Sequence, residues 1–500
     1  MKKLSVFLLA LLTLSSCLND FLDVKPVSDT SSENFWKTEA DVRGELNSVY
    51  AFIQQSFNEN NGYNYMAWYE ARSDNFIGST TGTELPLSVV NMNRLGTILP
   101  AANWNFWYKE ISVVNHALHF VPKMKNLNAT SRDNFLAEAH FLRAYCYFNL
   151  IRIWGDVPMV TEPVITINQL TKPTQTAKEI VMDSLILKDL KAAYELVKTY
   201  KVDEIFRFSP GALYALYTDV AMWNHDYPTA LNFSQKLIAL NKYELVEPAD
   251  FYKVCGTAIT KENIWTLNWS YANNGNNRLI FALHNTAIPY LVVSKLVKDE
   301  WAYFKPNENP KIQIPGNWQT DVRRKQTIDT SAVYDPSPLV LSTKGVIWKW
   351  EPSTRANTSV TNERFIPLYR LADILLLRAE AFNQLGDMTN ALKVLNSVRV
   401  KRGLTDRLSA DYDAVPNKID SLETHILQER QFELLGEGRR WFDLIRTGRA
   451  MAVMNNHFTN YLVKAGATEV TLFTKEWQLY WPVFQDNMLE NENLKQLGNY

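Results

Sequence analysis

The sequence predicts a mainly α protein of tetratricopeptide-like helical repeats, interrupted by an irregular, partly β insert lobe. Three observations carry that expectation. Residues 366–403 read as a two-helix repeat, and residues 209–240 echo it upstream. Between them, residues 242–363 lose helical periodicity and gather six of the fifteen tryptophans.

The repeat at 366–403 is the clearest element. Its first helix, over 369–385, is apolar on most sides through Leu371, Ile374, Leu375, Leu376 and Leu377, so it needs cover on more than one face. Gly386 supplies a stop and Asp387 a cap for the second helix. Arg399, Lys401 and Arg402 in the last turn suit the negative end of a helix dipole. Small Ala379 and Ala391, with Phe382, Leu395 and Val398, keep the repeat's register. A hairpin of this kind cannot bury its faces alone and therefore predicts neighbours.

Taken in order, a helix is expected over 38–57, with Val42, Leu46, Val49, Phe52 and Ile53 on one stripe, then a loop over 58–64. Residues 70–75 lead into a Gly/Thr-rich segment. Helices follow over 104–124 and 132–154, the latter stopped by Gly155-Asp156 and Pro158, and over 177–197. In the hairpin at 209–240, Asp226 and Ala230-Leu231 echo Asp387 and Ala391-Leu392. The two hairpins lie much further apart than the ~34-residue period of such repeats, so something is inserted between them. In the insert, alternation at 264–269 and 346–350 predicts short strands. A helix over 419–435 is broken by Gly436 and Gly438. Aromatic residues at 477–482 and a polar tail at 491–496 close the chain.

Composition excludes some functions. With a formal net charge of −1 over 500 residues, nucleic acid is not an expected partner. No H-E-x-x-H, G-x-S-x-G, Walker-type loop or EF-hand loop occurs, so catalytic residues, metals and cofactors are all expected to be none. Cys146 and Cys255 read as core residues, and His116, His119 and His140 as structural histidines on helices. The pairs Glu429-Arg430 and Arg439-Arg440 read as arginine stems packed along helices beside carboxylates, not as an anion site.

The N-terminus carries its own message. Lys2 and Lys3 precede an apolar run over 4–14 that is too short to span a bilayer. Leu14-Ser15-Ser16-Cys17 then resembles the lipobox of bacterial lipoproteins, in which cleavage precedes the cysteine and the cysteine is lipidated. The expected division is a signal peptide at 1–16, a lipidated tether at 17–36 and a body at 37–500. Within the body, the repeat scaffold is expected at 37–241 and 364–450, the insert lobe at 242–363, and a C-terminal segment at 451–500.

Several stretches resemble the SusD/RagB family of nutrient-binding outer-membrane lipoproteins. They are the lipobox with Asn19-Asp20-Phe21-Leu22-Asp23, Phe35-Trp36-Lys37-Thr38-Glu39-Ala40-Asp41, Ala137-Glu138-Ala139, and residues 149–158. Near the end come Arg378-Ala379-Glu380-Ala381, residues 429–434, Gly438 with Trp441-Phe442-Asp443-Leu444, and Asn493-Leu494-Lys495-Gln496. The resemblance implies about four tetratricopeptide-like helix pairs and a lipid anchor at the outer face of the outer membrane. It also implies a SusC-like TonB-dependent transporter as partner, over which the protein acts as a lid delivering bound nutrient. It gives the role and leaves the cargo open: a glycan or oligosaccharide, or alternatively peptide. A repeat scaffold binding only protein partners is the competing reading.

A sugar presents apolar faces and a rim of hydroxyls, so its receptor needs exposed rings with fixed amide or guanidinium groups. Trp301 and Trp318 are the expected stacking platforms. Tyr303, Asn274 and Arg278, and Asn75 from the early loop, are the expected polar contacts. Trp265, Trp348 and Trp350, in alternating segments, are expected in the core.

Overall fold

The structure, a computed structural model, describes residues 35–78, 87–197, 204–279, 291–294, 296–297, 320–328, 347, 349, 363–463, 467 and 469–500. Cys17, Trp301, Tyr303, Trp318, Trp348 and Trp350 lie outside the described residues. Among the described residues, no helix is long and apolar enough to cross a membrane.

Four successive helix pairs form the scaffold: α1 (Glu39–Tyr65) with α2 (Asn105–Phe120), α3 (Ala129–Trp154) with α4 (Leu187–Leu196), α5 (Pro210–Trp223) with α6 (Tyr227–Ile238), and α7 (Leu371–Gln384) with α8 (Met388–Lys401). The expected four pairs are therefore present. Helix α1 begins in a reciprocal capping box: Thr38 N–H donates to the Asp41 carboxylate at 2.7 Å, and Asp41 N–H returns a bond to the Thr38 hydroxyl at 3.3 Å. Its stripe of Val42, Leu46, Val49 and Ile53 is buried. Where a loop was expected after Asn58, the helix instead kinks at residues 59–62 and resumes to Tyr65. Helix α3 is buried almost throughout from residue 137 to 154, and Gly155, at φ +78°, ends it.

The two hairpins repeat one another at atomic level. Asp226 accepts from Thr229 N–H at 3.1 Å, and Asp387 accepts from Asn390 N–H at 3.0 Å. The residue before each cap is left-handed: Gly386 at φ +80° in one turn and His225 at φ +55° in the other. Glycine adopts that conformation without cost, whereas histidine is strained there. The second turn therefore carries a weaker signal in sequence.

Three small antiparallel ladders join parts of the chain. Strand β1 (Phe76–Gly78) pairs with β5 (Leu291–Val293), β2 (Val157–Pro158) with β3 (Gln175–Thr176), and β4 (Asn263–Leu267) with β6 (Ile366–Arg370). Two of them, β1–β5 and β4–β6, bring the segment between the hairpins back to the scaffold. Trp265 on β4 is fully buried, edge-on to Phe141 and Tyr145 with ring centroids 4.8 Å away. Cys146 and Cys255 are free and buried. The tail docks back through Gln496, which accepts from Val483 N–H at 2.8 Å and donates to its carbonyl at 2.6 Å.

A buried ionic cluster joins these parts at α9 (Lys418–Glu433). Glu433 lies 2.7 Å from Arg370, 2.9 Å from Arg402 and 2.9 Å from Arg323, all essentially without solvent exposure. Arg370 also pairs with Glu437 at 2.7 Å, and Arg402 with Glu262 at 3.0 Å. One turn back along α9, Glu429 meets Arg399 at 2.7 Å. Arg399 and Arg402 thus do more than complement a helix dipole: they are interior ion-pair partners. On the other side of α9, Arg430 bridges Asp443 and Asp373 at 2.8 and 2.9 Å. Arg440, opening α10 (Arg440–Arg446), holds Asp74 with both donors at 2.8 and 2.9 Å.

Burial alone would push the Glu433 carboxyl up, but Arg402, Arg370 and Arg323 hold it well below the ordinary range. Its stabilising contribution is therefore complete above the unfolded carboxyl's ordinary value and is lost as pH falls through the lower folded value. Glu433→Gln should cost about 3–5 kcal/mol, because three buried guanidinium groups lose their shared counter-charge. Denaturant unfolding of the variant beside the parent checks this; a loss below about 1 kcal/mol would count against the cluster as a keystone.

Candidate functional site

A cleft of about 270 Å³ opens where the C-terminal half of α1 meets the loop after β4. Its wall on the helix is Gln54, Gln55 and Asn58, one turn of polar residues beside the buried stripe, and Glu59 closes the end. The opposite wall is Trp269, Asn273 and Asn274. The loop is shaped by its own hydrogen bonds. Ser270 N–H donates to the Asn274 side-chain carbonyl at 3.1 Å, and the Trp269 indole N–H donates to Gly275 O at 2.9 Å. Gly275, at φ +68°, ends the single helical turn Tyr271–Asn274.

Amides tie the two walls together. Asn274 donates to the Gln54 side-chain oxygen at 3.0 Å, and Gln54 donates onward to Asn268 O. Asn58 donates to Asn276 O at 3.1 Å and accepts from Arg278 N–H at 2.7 Å. The side chains of Gln55 and Asn273 are exposed at the mouth of the cleft. This is an amide-rich cleft with a held floor and free donors and acceptors at its mouth, suited to a neutral polar ligand.

The backbone below the cleft is strained. Asn60, Asn61 and Gly62 are consecutively left-handed, at φ +52°, +59° and +80°. Such conformations cost free energy and persist where the surroundings hold them. Here the loop does the holding: a Cβ at residue 62 would stand 3.1 Å from the Arg278 carbonyl carbon and oxygen. The kink lets the loop lie against α1 and turns Glu59 to the end of the cleft.

The expected site residues are distributed as follows. Asn274 lines the cleft. Arg278 anchors the loop through its backbone amide, and its side chain is not in the lining. Asn75 requires correction: it is 1% exposed, its side-chain oxygen accepts from Gln431 at 3.0 Å, and its carbonyl accepts from Ser294 N–H at 2.8 Å. Asn75 therefore ties the early loop to α9 and to the residue after β5, and it is not in the lining of this cleft. Trp301, Tyr303 and Trp318 lie outside the described residues. Sequence reasoning missed Gln54, Gln55, Asn58, Trp269 and Asn273 as one group. The available signal was a run of amides (54, 55, 58, 60, 61) directly following an apolar stripe.

A wider recess of about 490 Å³ sits on the helical repeats, but its charged residues are paired with one another. Glu380 meets Arg446 at 2.8 Å, and Glu423 meets Arg449. Among the described residues, no group of three or more His, Cys, Asp or Glu side chains is arranged to hold a metal.

Comparison with known proteins now bears on this arrangement. A family model described as "SusD family" matches residues 297–500, and one described as "Starch-binding associating with outer membrane" matches residues 20–221. Both models are of SusD type, and together they span most of the chain, which is therefore of SusD type. SusD-like protein P38 of Formosa agariphila is 28% identical, with 98% of this chain and 97% of that protein aligned. A SusD superfamily protein of Bacteroides thetaiotaomicron shares the fold at 19% identity and a TM-score of 0.71, covering 92% of this chain and all of the other. Bacteroides fragilis NanU does so at 19% identity and 0.72, covering 95% and 99%. Of the SusD-type motifs noted in the sequence, residues 429–434 and Gly438 with Trp441-Phe442-Asp443-Leu444 lie in or beside the ionic cluster, and none of the motif stretches lines the cleft.

Gly62→Ala should be costlier than Gly386→Ala. Both glycines have φ +80°, but a Cβ at 386 meets nothing within 4 Å. The shared backbone strain is about 1 kcal/mol, and only Gly62→Ala also pushes on the loop. Parallel unfolding measurements check this, and equal losses would show that loop contact contributes nothing.

Proposed function

We propose that this SusD-family protein is a surface lipoprotein that binds a glycan or oligosaccharide and delivers it to a SusC-like TonB-dependent transporter in the outer membrane. The amide-lined cleft carries the cargo half of this reading. Paired donors and acceptors on a fixed frame match the hydroxyl rim of a sugar, and one of the two family descriptions names starch binding and outer-membrane association. The lipobox at 14–17 supports the anchor: residues 1–16 are removed, Cys17 is acylated, and 17–36 tether the body to the membrane facing outward. Several acyl chains on one cysteine hold firmly, whereas a single chain binds reversibly. The role is binding without turnover. In this reading Trp301 and Trp318 are the stacking platforms, and Tyr303 and Asn274 contribute polar contacts.

Two experiments test the two halves. For cargo, calorimetric titration with an oligosaccharide panel should give binding that weakens about five- to thirtyfold in Trp301→Ala and Trp318→Ala, the equivalent of ~1–2 kcal/mol per ring. Asn274→Ala should weaken it as well, and melting should stay close to the parent. A fall of about 3–5 kcal/mol in stability would instead mark the tryptophans as core, and binding of peptides in place of oligosaccharides would change the cargo. For the anchor, Cys17→Ala should release a folded protein from membranes, and gentle detergent extraction of the parent should recover the transporter with it. Retention of Cys17→Ala after a salt wash would refute the anchor.

A further inference from the structure

We infer that the cleft selects uncharged, hydroxyl-rich chains and disfavours carboxylated or sulfated ones. The inference rests on the glycan-binding reading of this cleft and adds the chemical class of the cargo.

Three features converge on it. First, the polar lining is made of amides, with Gln54, Gln55, Asn58, Asn273 and Asn274 on facing walls. A primary amide offers donors and an acceptor together, which matches a hydroxyl that must both give and receive. An anionic group accepts only, and would leave the amide oxygens facing its charge. Second, the one ionisable residue in the described lining is Glu59, which is half-buried. Arg278 in the same loop does not line the cleft. Recognition of carboxylate or sulfate ordinarily uses guanidinium or ammonium groups. Third, helical backbone angles in the first part of α1 stop before Glu59 (φ −61°, ψ 149°). The negative end of that helical segment therefore points to the cleft and adds to the carboxylate's repulsion. Specificity of this kind comes from an element that penalises the wrong ligand as well as from contacts to the right one.

The test is a titration of the full chain with two oligosaccharide sets of matched length: neutral glucans, xylans and mannans, and oligouronates with their sulfated counterparts. The neutral set should contain the tightest ligand, with the anionic set at least about fivefold weaker and its deficit shrinking as salt rises. Glu59→Gln should narrow the anionic-to-neutral affinity ratio about two- to fivefold, the range expected for one partly exposed charge. Glu59→Lys should narrow or invert it further. Both variants are checked for unchanged melting. Anionic chains binding as tightly as neutral ones in the parent, with the binding lost in Asn274→Ala, would overturn this inference and leave the glycan-binding reading standing. Binding of neither set would overturn both.

Discussion

One buried carboxylate, Glu433, faces three guanidinium groups that arrive from three different stretches of chain: Arg323, Arg370 and Arg402. Moving any of these charges out of water is expensive, and the cost is offset only if all are present with good geometry. The surrounding cluster is balanced: Asp321, Glu262, Glu429, Glu433 and Glu437 against Arg323, Arg370, Arg399, Arg402 and Lys349. Arginine suits four of the five cationic positions because its planar fork engages two or more oxygens at once. Since the residue leading into β4, then β6, α8, α9 and the segment at 320–328 each supply members, each is held in place by the others. The fold depends on that mutual requirement more than on any single helix contact.

Elsewhere a buried carboxylate has no ion pair among the described residues. Glu70 accepts from Gly438 N–H, and burial pushes its carboxyl up to about 8. The folded state then holds a proton that the unfolded chain has released, so stability falls as pH rises from the ordinary carboxyl value toward about 8. Glu433 and Glu70 thus pull stability in opposite directions on either side of mild acidity. Both are tied to the Gly436–Gly438 turn, with Glu437 and Gly438 supplying the contacts.

The helical part of this architecture was legible because its signals are local. Caps such as Thr38, Asp226 and Asp387, the stop at Gly386 and the apolar stripes all act within a few residues of themselves. The kink after Asn58 was less legible, since a run of asparagines reads as loop whether or not the helix resumes. The ionic cluster was legible only in part. Glu429 and Arg430 could be read as paired, but that Arg399 and Arg402 enter the same interior depends on partners 30 and 31 residues away in Glu429 and Glu433, and 140 away in Glu262. For the site, Asn274 lies in the lining of the cleft. The burial of Asn75 was not legible, because a polar residue in a loop gives no sign of whether that loop is covered by α9 and β5.

The separation between cluster and cleft explains how one scaffold can serve different cargo. The SusD-type motifs at 378–381, 429–434 and 441–444 supply interior ion pairs, where a substitution leaves a charge uncompensated. The cleft is assembled from the outer face of α1 and a loop held by backbone and amide hydrogen bonds, where a side chain at the mouth can change without disturbing the cluster. What links the two is the kink at residues 59–62. Its left-handed turn is held on one side by the loop through Gly62 and on the other by the buried residues 63–70, which run on to Glu70 and its bond with Gly438. The rigid interior thereby fixes the backbone on which Asn58 and Glu59 are carried, while leaving the identity of those side chains free to set what the cleft accepts.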